Sequence, residues 1–186
     1  MNQMPQPKQI KGNPLWEFAT WAYSQAGVEK ACLALQNRLG ADVNIVLFCA
    51  WLAYRGTGSN SLAKYLAAAL KLSRDWQKNL VEPLRLCRTN LKELLENSPM
   101  AGADRAAASS LHERVKQAEL DMEQLQTLSL YSLVMDGDDT GVTGSPVEQK
   151  DDALNNLTVY FAATGIKLDP LAQTHVMRIL TSLFGA

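Results

Sequence analysis

Residues 42–55, DVNIVLFCAWLAYR, constrain this chain more than any other stretch. Between Val43 and Tyr54 only Asn44 is polar. A helix with no polar face has to be surrounded. Twelve such residues at about 1.5 Å each reach about 18 Å, short of the roughly 20 residues that a bilayer needs. Val43, Ile45 and Val46 would also suit a buried strand, but the ends of the run favour a helix. Asp42 is an N-cap whose carboxylate can accept from first-turn amides. Arg55 places a cation in the last turn, and Gly56 can take the left-handed conformation that closes a helix. Gly40 offers the same stop to the segment before it. Two helices therefore meet at Gly-Ala-Asp, and the second of them is a buried axis.

The rest of the chain supplies helices to surround that axis. Residues 1–12 are polar, with two prolines, and read as a flexible arm. Asn13-Pro14 is a cap followed by proline at the first helical position, and Leu15, Phe18, Ala19, Ala22 and Tyr23 follow at helical spacing to about residue 26. Residues 28–39 carry a stripe of Val28, Ala31, Cys32, Leu35 and Leu39. The pattern predicts a short helix over 61–72 and a longer one over 73–97 capped by Ser73, with a kink or break at Pro83. Another long helix covers about 104–133, where Ala108, Leu111, Val115, Ala118, Met122 and Leu125 alternate steps of three and four. It would pair with 73–97 as a hairpin. Residues 136–152, DGDDTGVTGSPVEQKDD, read as a mobile acidic loop. A C-terminal pair of helices follows over 153–186, docked on the core, with Leu154, Leu157, Phe161 and Ala162 inward on the first and Leu171, His175, Val176, Ile179, Leu180 and Leu183 carried by the last. The fold class is all-α: one bundle-like domain of seven or eight helices, its core spanning residues 13–135.

The 186 residues carry a formal charge of −1, which by itself selects no partner. The charge is unevenly spread. Residues 1–92 hold 12 Lys and Arg against 5 Asp and Glu, while residues 93–186 hold 6 against 14. Two halves of opposite sign can attract each other, or one can present a basic surface. The three cysteines, Cys32, Cys49 and Cys87, are widely spaced among apolar neighbours and read as buried, inert thiols. The N-terminus lacks a signal-peptide core and no run reaches membrane-spanning length, so a cytosolic protein is expected.

Candidate sites are few. Lys71, Arg74, Lys78, Arg85, Arg88 and Lys92 fall within about 100° on a continuous helix. Such a ridge can hold an acidic protein surface or phosphates, or it can pair with the acidic segment 113–123. Nucleic acid is the weaker of the external partners, since no recognised motif accompanies the cations. Asn44, with Trp16 or Gln36, could line a small pocket; equally, its amide could fix the helix junction. The four tryptophans read as core. Asp136, Asp138 and Gly141 resemble the start of a calcium loop, but Val147 stands where the bidentate glutamate belongs and Pro146 would disturb the exit helix. The glycine-rich GTGSNS at 56–61 lacks the Gly-Lys ending of a phosphate loop. His112 and His175 have no ligand-type neighbour at three or four residues. No cofactor, metal or catalytic constellation is indicated.

Several short motifs recur together: Leu15-Trp16-x-Phe18-Ala19, Tyr23, Gly27-Val28, Ala31-Cys32-Leu33-x-Leu35-Gln36 and Gly40-x-Asp42-Val43-Asn44. Trp76-Gln77 and Pro83-Leu84-Arg85 follow. In these the chain resembles a family of uncharacterised proteobacterial proteins over about residues 13–95. The resemblance implies a bacterial cytosolic domain of no established activity and supplies no catalytic residue. The sequence therefore leads to a non-enzymatic helical protein that binds a macromolecular partner, most simply a protein, through its basic ridge. The alternatives are an enzyme or small-ligand carrier with a pocket near Asn44, and a ridge that acts only within the molecule.

Overall fold

The computed structural model describes residues 12–56, 58–135 and 144–185. Among them are eight α-helices and no strand: α1 (Pro14–Ser24), α2 (Val28–Leu39), α3 (Val43–Tyr54), α4 (Gly58–Trp76), α5 (Glu82–Asn97), α6 (Gly102–Ser132), α7 (Pro146–Thr164) and α8 (Pro170–Phe184). A single π-turn, Gln77–Val81, joins α4 to α5.

α3 is the buried axis. Every residue from Ile45 to Ala53 is buried, as is Val43. The Asp42 carboxylate accepts the Asn44 amide at 2.8 Å and starts the helix. Gly56, at φ 69°, ends it in the left-handed region, as its composition predicts. α7 packs most extensively on α3, with α4, α1, α2 and α6 around the remainder. Asn156, fully buried on α7, donates to the Cys49 carbonyl at 3.0 Å and pins the two helices together.

α5 and α6 pack antiparallel as a hairpin that leaves this core. No residue between Ala69 and Leu130 belongs to the main buried cluster.

Several expectations need correction. Ser73 caps nothing. The helix runs through it, and the buried hydroxyl donates to Asp42 instead. Of the kink or break expected at Pro83, the break is absent, and the α-helix gives way to the π-turn just before it. Pro83 has no amide to offer the Asn79 carbonyl, and the wide turn, where the Glu82 amide reaches the Gln77 carbonyl, absorbs the mismatch. The acidic loop does not extend to 152, because α7 starts at Pro146. Ser145 and Glu148 form a reciprocal capping box there, and Pro146 takes the first helical position that suits its fixed φ. The loop residues of the calcium-like motif, 136–141, lie outside the described residues, as does the arm up to residue 11.

Cys32 and Cys49 are buried, and burial pushes the Cys32 thiol up to about 12. Cys87 is exposed. Of the tryptophans, Trp51 is core, Trp16 and Trp76 are half-buried and Trp21 is exposed. Leu154, Ala162 and Leu171 face outward. No helix among the described residues is long and apolar enough to cross a membrane.

Candidate binding cleft

A buried polar knot sits at the N-terminus of α3. Asp42 caps the helix through Oδ1 and uses Oδ2 to accept from the Ser73 hydroxyl and from Gln126 Nε2, the latter at 2.9 Å. Its backbone amide donates to the Tyr160 hydroxyl at 2.9 Å. Gln126 is fully buried. Its Oε1 accepts from Asn44 Nδ2 at 2.8 Å and from Gln77 Nε2 at 3.1 Å. α3, α4, the π-turn and α6 thus converge on one carboxylate and one amide, and α7 joins them at the Asp42 backbone. Buried polar groups of this kind are stable only when their partners are in place, which fixes the geometry around them.

Above the knot opens a cleft of about 1290 Å³. Trp16, Gln36 and Asn44, which the sequence brings forward together, all line it. Leu39, Leu47, Leu70 and Ile166 give it apolar walls, and Asp42, Ser73, Gln77 and Tyr160 form its polar floor. Burial pushes the Tyr160 hydroxyl well above its ordinary range, so it stays protonated.

The cations expected as one ridge divide into groups. Arg85 Nε meets Glu119 and its Nη2 meets Glu123, each at 3.0 Å, while Arg88 Nε meets Glu119 at 2.5 Å. These two arginines are bound into the hairpin, and Glu119 is only 7% exposed. Burial raises the Glu123 carboxyl above its usual range, opposed by the adjacent Arg85. Lys92 approaches Glu96 on its own helix at 3.8 Å, both being exposed. Arg74 and Lys78 stand on the cleft rim, and among the described residues neither is in an ion pair. Lys71 is exposed one turn earlier.

The sequence pointed to Asn44 as a pocket residue or a junction-fixing amide, but its partner is the Gln126 side chain, and Gln126, Gln77 and Ser73 were not named as companions. One signal was present: Glu119 and Gln126 lie seven residues apart, on the side of α6 that faces the core. Two polar residues at that spacing on a buried stripe point to partners across the bundle.

The fold and site together define an all-α domain with a polar-floored cleft at the start of its buried helix. A model of a family of proteins of unknown function, DUF2390, matches residues 14–130, and the chain belongs to that family. No curated protein and no solved structure matches it. The family match continues past residue 95 and takes in Glu119, Glu123 and Gln126 of α6. α7 and α8 lie beyond it, although Tyr160 of α7 belongs to the cleft floor.

Proposed function

We propose that the protein binds a small amphipathic molecule in the cleft beside Asn44, with the apolar body against Trp16 and Leu47 and a negatively charged or strongly accepting head toward Arg74 and Lys78. The convergence of apolar walls and a fixed polar floor on one cavity carries this reading. Ligand sites combine these features, and their volumes commonly fall at about 300–1,000 Å³, somewhat below that of this open cleft. The charge layout supports the choice of head. Asp42 already accepts three hydrogen bonds, and Arg85 and Glu123 satisfy each other, which leaves the two rim cations to meet a ligand. A macromolecular contact along the whole ridge has less support, because Arg85 and Arg88 are held by α6.

An apolar dye with a sulfonate, 1-anilinonaphthalene-8-sulfonate, is a suitable probe. Binding to the folded protein should give a saturable rise in dye fluorescence. Ala163→Trp, which adds a ring to the cleft from an exposed position of α7, should abolish it without lowering thermal stability. Arg74→Glu with Lys78→Glu should weaken binding about tenfold or more. Binding unchanged in both variants would contradict the reading.

A further inference from the structure

The hairpin of α5 and α6 has two unlike flanks. One carries Arg85, Arg88, Glu119 and Glu123, and of these Arg85 and Glu123, with Leu120, line the cleft. The other is apolar. At about 100° per residue, Leu111, Ala118 and Leu125 lie at least about 140° round α6 from Leu120. On the opposite strand of the hairpin, Leu80 in the π-turn and Cys87 and Leu94 in α5 recur every seven residues. The ion pairs join the helices across the first flank, so antiparallel packing gathers these two stripes on the second.

This flank is open along α5 and at Leu111. Leu80, Leu94 and Leu111 are 40%, 50% and 43% exposed, and Cys87 is exposed as well, while Ala118 and Leu125 are half-buried. α5 buries none of its residues, and its main packing partners are α6 and the π-turn. An amphipathic helix of this kind ordinarily buries its stripe against another element.

We propose that the flank is a self-association surface on which a second copy of the chain packs its own hairpin about a two-fold axis. The surface is symmetric in the way such an axis demands. Leu80 and Leu94 stand seven residues either side of Cys87; Leu111 and Leu125 stand seven either side of Ala118. The pairing of both Arg85 and Arg88 with Glu119 puts Cys87 and Ala118 at one level of the hairpin. A two-fold axis crossing the flank there brings Leu80 onto the partner's Leu94 and Leu111 onto the partner's Leu125. Ala118, small, sits at the crossing and lets the helices approach.

The charges agree. Arg114 and Asp121 border the α6 stripe, and the same rotation carries each toward the other's counterpart. Among the described residues Arg114 makes no ion pair, and one Asp121 oxygen is held only by Gln117 at 2.9 Å. A two-fold interface has to be self-complementary, and four helices packed through such stripes form an antiparallel bundle.

Sedimentation velocity of the full chain tests this over a concentration series. A monomer–dimer equilibrium is expected. Mild oxidation should trap a covalent dimer in the wild type and none in Cys87→Ser, since Cys32 and Cys49 are buried. Arg114→Asp and Asp121→Arg should each raise the dissociation constant about tenfold or more, and the two reversals in one chain should restore it. A chain that stays monomeric at about 100 µM, a covalent dimer that persists in Cys87→Ser, or charge reversals that leave association unchanged would each overturn the proposal.

Discussion

Asp42 does three things with one carboxylate: it caps α3, receives Ser73 and receives Gln126. Replacing it with alanine removes a cap worth about 1 kcal/mol and leaves buried donors without an acceptor, each costing about 1–3 kcal/mol. Asp42→Ala should therefore destabilise the protein by about 3 kcal/mol or more in urea denaturation, with Asp42→Ser losing less because the cap survives. A loss no larger than that of an ordinary cap would show that the knot contributes little. The cap itself was legible in the sequence, since an aspartate before an apolar run has a local meaning. Ser73 was misread for the same reason. A serine inside a helical pattern looks like a local cap, and nothing nearby shows that its partner lies 31 residues back in the chain. Asn44 stood out as the lone polar residue of α3, but its partner Gln126 is 82 residues away.

At the scale of elements, the π-turn is what aligns the hairpin. It carries the helix past Pro83 without a break, so that Arg85 and Arg88 both reach Glu119. With Glu119 nearly buried, Glu119→Ala takes the ion-pair partner of Arg88 and leaves Arg85 only Glu123, and should cost about 2–3 kcal/mol, whereas Glu96→Ala, in an exposed pair, should cost less than about 0.5 kcal/mol. A double-mutant cycle of Arg85→Ala with Glu119→Ala measures the coupling directly. Equal, small effects at Glu96 and Glu119 would place the quartet among ordinary surface pairs. The helices themselves were largely legible, because periodicity and Asn-Pro and Gly punctuation are local signals. The antiparallel pairing of 73–97 with the next helix was expected as well, but the seam behind it was too wide, since Leu111 stays 43% exposed. The start of α7 did not, since the acidic composition before it hid the capping box of Ser145 and Glu148. The ridge was a list of phases on one continuous α-helix, and such a projection shows neither the π-turn at Gln77–Val81 nor what the neighbouring helix places opposite Arg85.

For the whole molecule, the buried axis organises both stability and the candidate site. α3 is surrounded by five helices, and its N-terminal end, where its only buried-side polar residue stands, opens into the cleft. The all-α class could be read from the sequence because each helix announces itself. The cleft could not, because its walls come from segments as far apart as Trp16 and Ile166. The two oppositely charged halves meet in Arg38 with Asp169 at 2.8 Å and in the arginines of α5 with the glutamates of α6, so part of that asymmetry is internal.

The central claim is that the cleft beside Asn44 is a ligand site, and chemical-shift mapping of the isotope-labelled full chain with the sulfonate dye tests it most directly. The Trp16 indole and the side-chain amides of Asn44 and Gln77 should move together along one saturable titration, while the Trp21 indole, exposed outside the cleft, stays in place. Shifts that gather away from the cleft, with Trp16 and Asn44 unmoved, would contradict it.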